Sequence, residues 1–262
     1  ILTPAKSISS ATNMGGAIDE LEYNRAVVEG CLKAGTIAFV GDGATPTKYK
    51  IALQAISEFK GMGIPIFKPR SDNADILMRI RAAEDSGAVA VGMDIDAVVF
   101  KTMELKNQSV GPKGMKSLEE LVSATKLPFI LKGIMTPEDA AMAIDVGVKS
   151  IIVSNHGGRV LDEMAGSMDV IEEIVDEVRG RMEILVDGGF RKGADILKAL
   201  ALGARAVLIG RPVAIAVVGM GCEGTAFYLR QLKRDLEKAM ILTGSPKVSD
   251  ISRNVVRKIQ SV

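Results

Sequence analysis

The sequence is short of four things: cysteine, histidine, surplus charge of either sign and long apolar runs. Cys31 and Cys222 are the only cysteines, far apart and without a second ligand-type residue nearby. That excludes a disulfide framework and a thiolate metal site, and it fits a reducing, cytoplasmic setting. His156 is the only histidine, so a nitrogen-rich metal site has no second ligand and no metal is expected. Thirty-three basic residues face 32 acidic ones, a formal charge of +1, which gives no field to hold nucleic acid or an anionic membrane. No apolar run approaches the roughly 18 residues of a spanning helix, the longest being Val213 to Val218 extended through glycines. No Pro/Ser linker or charge block divides the chain, so one domain over residues 1–262 is expected. The first residue is Ile1 and no basic targeting region follows it, so a segment ahead of it is expected to be missing.

What is present is a globular composition, 47% hydrophobic and 25% charged, which supplies a sizeable core. Short β-branched apolar runs alternate with amphipathic stretches: Thr36 to Val40, Pro65 to Phe67, Val89 to Met93, Pro128 to Leu131, Ser150 to Val153, Ile184 to Val186 and Ala206 to Ile209. Ile1 and Leu2, just before Pro4, fit the end of an eighth. Hydrophobicity is near-continuous within each run, as in parallel strands buried on both faces. Between them Thr136-Pro137 with Glu138 and Asp139 reads as a helix start and Gly147 as its stop, and further helices are expected over 168–179, 195–202 and 223–242. Eight strands each followed by a helix predict a (β/α)8 TIM barrel, with a doubly wound open sheet as the competitor. Lys101 to Lys116, rich in Lys, Gly, Asn and Ser, follows the fourth strand, counting the one at Ile1-Leu2, and is a candidate lid over the active face.

A barrel carries its chemistry where strands end. Asp94 follows one run, Lys132-Gly133 the next, and Ser154-Asn155-His156-Gly157-Gly158-Arg159 the one after. Asp187-Gly188-Gly189-Phe190-Arg191 and Gly210-Arg211 close the series. His156 in that setting reads as a base beside Arg159, a cation that holds a carboxylate. Lys132 is either a fixed charge facing a developing anion or a lysine reaching for solvent. Asp94 either caps a loop or orients the imidazole. Two successive glycine and arginine sets predict a phosphate cradle.

Ile130-Leu131-Lys132-Gly133, the Val153-to-Asp162 block around His156, Val186-Asp187-Gly188-Gly189 with Arg191, and Ile209-Gly210-Arg211-Pro212 together resemble the FMN-dependent α-hydroxy-acid oxidases and dehydrogenases. The resemblance is strong from about Leu127 to Val256 and continuous though weaker ahead of it. It implies that His156 is the general base, that Arg159 binds the substrate carboxylate, that Lys132 faces the flavin and that Asp94 pairs with the histidine. Asp187, Gly188, Gly189, Arg191, Gly210 and Arg211 would hold the ribityl chain and phosphate of FMN, with Ser154, Pro4 and Lys68 completing the cofactor contacts. It also implies a homo-oligomer, a tetramer or larger.

The departures from the family pattern are specific. The family's N-terminal segment with a substrate-touching tyrosine precedes the barrel, and this sequence starts at the first strand. Lys68 and Arg70 stand where a glutamine and a tyrosine are expected, Asp42 for a serine and Gly92 for a threonine. Lys68 would take the place beside the flavin ring, and Arg70 would be a second clamp for a more acidic substrate. The expected activity is FMN-dependent oxidation of a 2-hydroxy acid to a 2-oxo acid; an FMN-dependent isomerase and a flavin-binding protein without that activity are the alternatives.

Overall fold

The computed structural model describes residues 3–5, 18–45 and 47–258. Eight strands, β1 (Thr3–Ala5), β2 (Ala38–Gly41), β3 (Gly63–Phe67), β4 (Val91–Asp94), β5 (Phe129–Ile134), β6 (Ser150–Val153), β7 (Glu183–Asp187) and β8 (Ala206–Leu208), run parallel, each bonded to the next in chain order. The helices between them are α1 (Glu20–Lys33), α2 (Lys48–Glu58), α3 (Asn73–Asp85), α4 (Lys101–Glu104), α5 (Met115–Ser123), α6 (Pro137–Asp145), α7 (Ser167–Val178) and α8 (Gly193–Ala201), and α9 (Arg211–Leu242) follows β8. The eighth strand falls just after Ile1-Leu2, and β3 begins two residues ahead of Pro65.

The pleat decides which residue faces which way. Phe39, Ile64, Ile66, Ala90, Ile130, Ile152, Leu185 and Leu208 form one buried cluster built from strand residues and Ala90 next to β4, with no helix contributing. Val40, Phe67, Met93, Leu131, Val153, Val186 and Val207, of the opposite parity in each strand, belong to the larger core shared with the helices. A sheet whose inner face packs only on itself is a barrel; an open doubly wound sheet needs helices on both faces. The fold is therefore a (β/α)8 barrel. Burial on both faces also explains why the runs read as continuous hydrophobicity rather than alternation.

The helix signals operate as chemistry predicts. The Thr136 side chain accepts a 3.1 Å bond from the Asp139 amide with Pro137 at the first helical position, satisfying a donor that the first turn leaves orphaned. The last helix differs from expectation. It begins at Arg211, and the non-helical Met220 (φ −150°) and Gly221 (φ 56°) kink it into two helical stretches, of which the second is the helix expected over 223–242 and the first was not expected. The apolar Val213 to Val218 lies in the first stretch; by length and composition alone 211–242 would reach the size of a membrane span, but the kink at Met220–Gly221 divides it. Beyond the bend Thr225, Leu229, Leu232, Leu236 and Met240 make a buried stripe at helical spacing, the pattern of a helix laid on a barrel wall.

Candidate functional site

The inward parity of the strands carries on past the apolar layer. Two residues beyond Ile66, Ile130 and Leu185 come Lys68, Lys132 and Asp187, and Asp94 stands two beyond Gly92. Register confirms the level, since Asp94 pairs with Lys132 across β4 and β5. A layer of charge thus lies on a layer of hydrocarbon. Lys68 Nζ is 2.6 Å from Asp94 Oδ2, and Lys132 Nζ is 3.1 Å from Asp94 Oδ1 and 3.8 Å from Asp187 Oδ2. Burial pushes the Asp94 carboxyl up, but the ammonium groups of Lys132 and Lys68 outweigh it and hold the group well below the usual carboxylate range. Burial pulls Lys132 down in turn, and Asp94, Asp187 and Asp96 more than reverse that, so it stays protonated.

His156 stands just above this layer in a turn that the sequence encodes residue by residue. Its φ is +57°, and Gly157 and Gly158 follow at +69° and +73°, a left-handed run that glycine tolerates and a β-branched residue would not. Ser154 Oγ accepts from the His156 amide at 3.1 Å, and Asn155 Oδ1 accepts from the amides of Gly157 and Gly158 at 3.0 and 3.3 Å. The carboxylate that meets the imidazole is Asp96, whose oxygens lie 3.0 and 3.1 Å from Nδ1. The expectation that Asp94 pairs with the histidine is corrected here: Asp94 is held down in the barrel by its two lysines, and Asp96, one pleat higher, reaches the ring. Gly133 makes this possible, because a Cβ there would come within 2.6 Å of Asp96 Cβ. With Asp96 accepting at Nδ1, the ring's other nitrogen, Nε2, is left with a free lone pair. Burial, and after it the Lys132 charge, lowers the His156 pKa from its ordinary 6.5.

The cleft over this layer holds about 1490 Å3 of space, open solvent included. Of the expected site residues, Lys68, Asp94, Lys132, His156, Arg159, Asp187, Gly188, Gly189, Arg191, Gly210 and Arg211 all line it. Gly210 is the N-cap of α9 and Arg211 its first residue, so the cradle sits at a helix N-terminus, where backbone donors and dipole favour an anion. Ser154 does not line the cleft: it is fully buried and spends its oxygen on the His156 amide, so the expected cofactor contact is corrected to a support of the turn. Pro4 lies on β1, and its side chain is outside the described residues. Arg70 is not a substrate clamp. It is buried and engaged, with Nη2 3.0 Å from Asp42 Oδ2 and 2.8 Å from the Gly43 carbonyl, and Nη1 2.7 Å from Gln108 Oε1.

The segment between β4 and β5 does cover the cleft, and it is more ordered than an irregular loop. Phe100, Thr102, Met103, Leu105 and Lys106 form a wall, with α4 in their midst. Arg70 bridges Val110 in an antiparallel step, and the Gly111 and Ser71 amides donate to Pro69 and Ser109 across the same seam. Asp96, Phe100 and Lys48, another lining residue, were not singled out from sequence. The signal for Asp96 was its parity with Asp94; the other two carry none.

This geometry has counterparts among known proteins. A sequence model of the FMN-dependent dehydrogenase family matches residues 108–258. The peroxisomal (S)-2-hydroxyacid oxidase GLO3 of Arabidopsis thaliana is 34% identical over 270 residues, covering 90% of this chain and 73% of the relative. The L-lactate oxidase of Nostoc sp. is 49% identical over 134 residues, 51% of this chain and 37% of that protein. Among solved structures, mandelate oxidase with benzoyl-formic acid superposes with a TM-score of 0.80 at 32% identity, over 96% of this chain and 76% of the other. The family model spans more than half of the sequence and the likeness to the GLO3 oxidase covers 90% of it, so the chain belongs to the FMN-dependent dehydrogenase family.

Proposed function

We propose that the chain binds FMN in this cleft and uses it to oxidise a 2-hydroxy acid to the 2-oxo acid. The observation that carries the reading is the convergence, on one cleft, of an imidazole whose Nδ1 is held by a carboxylate, a free arginine at the rim and a glycine-arginine cradle at a helix N-terminus. The cleft fits the cofactor on its own evidence. Asp187 Oδ1 is buried without a partner, an acceptor awaiting a hydroxyl donor, and the space where a Gly189 Cβ would project is open. Gly188, Gly189, Arg191, Gly210 and Arg211 would hold the phosphate, Asp187 the ribityl chain, and Lys132 and Lys68 would face the ring. The relatives named for 2-hydroxy acids, lactate and mandelate support the substrate class.

The chemistry that bound FMN supplies is acceptance of two electrons from the substrate. Arg159 pairs with the substrate carboxylate, a bidentate match that fixes the α-carbon. His156 Nε2 takes the hydroxyl proton, and Asp96 at Nδ1 steadies the imidazolium that forms. Lys132, kept charged by Asp94 and Asp187, sets a positive potential at the cleft floor.

Asp96→Asn is expected to lower kcat by about 100-fold, since an amide holds the ring but does not stabilise its charged form. The Asp96 contact raises the histidine pKa, so its loss moves the acid limb of the rate profile further down from a position already below 6.5. A pH series of kcat/KM on both proteins checks the direction; a limb that moves up would break the pairing.

The reading is tested by an absorbance spectrum of the purified protein followed by anaerobic addition of 2-hydroxy acids. Flavin bands that bleach are expected. Bands that persist would point to an isomerase or a binding role, and a protein that cannot be reconstituted with FMN would mean that the cradle is misread.

A further inference from the structure

The mechanism above leaves Phe100 unused. The Phe100 ring stands edge-to-face on His156, with centroids 4.6 Å apart at 87°. The Arg159 guanidinium carbon is 5.2 Å from the same ring centre and Lys68 Nζ 4.9 Å. Phe100 therefore touches both groups between which the substrate α-carbon must lie. If Arg159 holds the carboxylate and His156 the hydroxyl, the remaining bulky substituent on that carbon meets this ring. Met103 and Leu105 continue the apolar wall along the same segment, and Leu105 is 68% exposed, an uncovered large side chain at the mouth of a cleft. Thr102 and Lys106 supply the only polar side chains that this segment gives to the lining.

The wall is held in place. The Phe100 carbonyl accepts from the Met103 amide at 2.8 Å, closing the start of α4, and the far end of the segment is strapped to the exit of β3 through Arg70, Gln108 and Val110. A fixed apolar surface beside the reacting carbon discriminates by area, each buried methylene adding about fourfold to kcat/KM.

We propose that Phe100 is the specificity-determining residue of this site, and that it selects 2-hydroxy acids with a large apolar side chain, branched or aromatic, over glycolate. The inference rests on the functional reading above and adds the substrate class. The same ring excludes water from one side of the imidazole, so it also positions and shields the base. The charged groups facing that imidazole are Lys132 on β5, Asp94 and Asp96 at the end of β4, Lys68 after β3 and Arg159 in its own loop.

The test uses the FMN-reconstituted protein and the series glycolate, lactate, 2-hydroxy-4-methylpentanoate and mandelate. Apparent kcat/KM is expected to rise along the series by at least tenfold from glycolate to the larger acids. In Phe100→Ala that ratio should fall at least tenfold, and Phe100→Leu should restore part of it. A second readout needs no turnover. His156 is the only histidine, so its imidazole proton signals are identified without assignment. They should shift in Phe100→Ala as the ring current is lost, and the titration midpoint should rise as water enters. Glycolate reducing the flavin as well as mandelate does, a ratio unchanged by Phe100→Ala, or imidazole signals that do not move would each overturn the proposal and leave the oxidase reading standing. Failure of every 2-hydroxy acid to reduce the flavin would overturn both.

Discussion

Replacing His156 by alanine is expected to lower turnover by about 100- to 10,000-fold while FMN stays bound. The range is that of a positioned general base. Among the described residues the other carboxylates that line the cleft are paired, Asp94 and Asp187 with Lys132 and Asp42 with Arg70, and Asp96, on the Nδ1 side of the ring, does not line it. The cofactor is retained because the proposed cradle, Gly188-Gly189 and Gly210-Arg211, lies after β7 and β8, whereas His156 follows β6. Retention is read from the flavin absorbance after gel filtration and the rate from anaerobic reduction. Turnover within tenfold of the parent would remove His156 from the role of base.

Asp94→Ala is expected to cost about 3–5 kcal/mol of folding stability, the usual penalty for removing one partner of a buried ion pair. Asp94 is 6% exposed and Lys68 8%. Without the carboxylate, Lys132 keeps Asp187 at 3.8 Å, but the Lys68 ammonium loses its 2.6 Å partner and has only the Phe100 face. Urea unfolding measures the loss. The double variant Lys68→Met, Asp94→Leu removes both charges at once and should cost less than Asp94→Ala alone, because the penalty comes from the stranded charge. If the double variant is the less stable, the pair is stabilising in its own right. The pH behaviour has a definite sign. Since the folded Asp94 titrates below its unfolded value near 3.8, its contribution is complete above that value and is lost only as pH falls toward the folded one. Any decline in stability that begins near pH 6.5 belongs to His156, whose folded pKa is lowered and which takes up a proton on unfolding.

The barrel was legible because buried parallel strands are hydrophobic on both sides, and seven such runs stand out against amphipathic helices. The polar residues at their ends were legible for the same reason, as charge following hydrocarbon. What could not be read was height. Asp94 and Asp96 have the same parity, and only the register with β5 and the bulge between Lys132 and Ile134 show which of them reaches the imidazole. Arg70 also continues the inward parity of Ile64, Ile66 and Lys68, yet it leaves the strand to bond with Gln108 and Asp42. Phe100 gave no signal because it sits in a connection whose path is fixed by the Arg70 seam, a long-range contact. The helical stretch that opens α9 ahead of the kink was not read, although Gly210-Arg211-Pro212 already marks a helix N-terminus.

The strict chain order of the strands has a consequence for biosynthesis. Each strand pairs with the one made just before it, so every βα unit leaving the ribosome finds its neighbour already exposed and waiting, and contacts of low sequence separation can accumulate from the amino end. The seam between α1 and α9 is the exception. Lys33 meets Glu223 at 2.6 Å and its carbonyl accepts from Arg230 at 2.7 Å, and Gly30 packs where a Cβ would strike Thr225. These contacts join residues 190 and 197 positions apart, and none can form until α9 has been made. The last helix is thus the piece for which the nascent barrel waits, and until it docks the face of α1 around Gly30 stays uncovered.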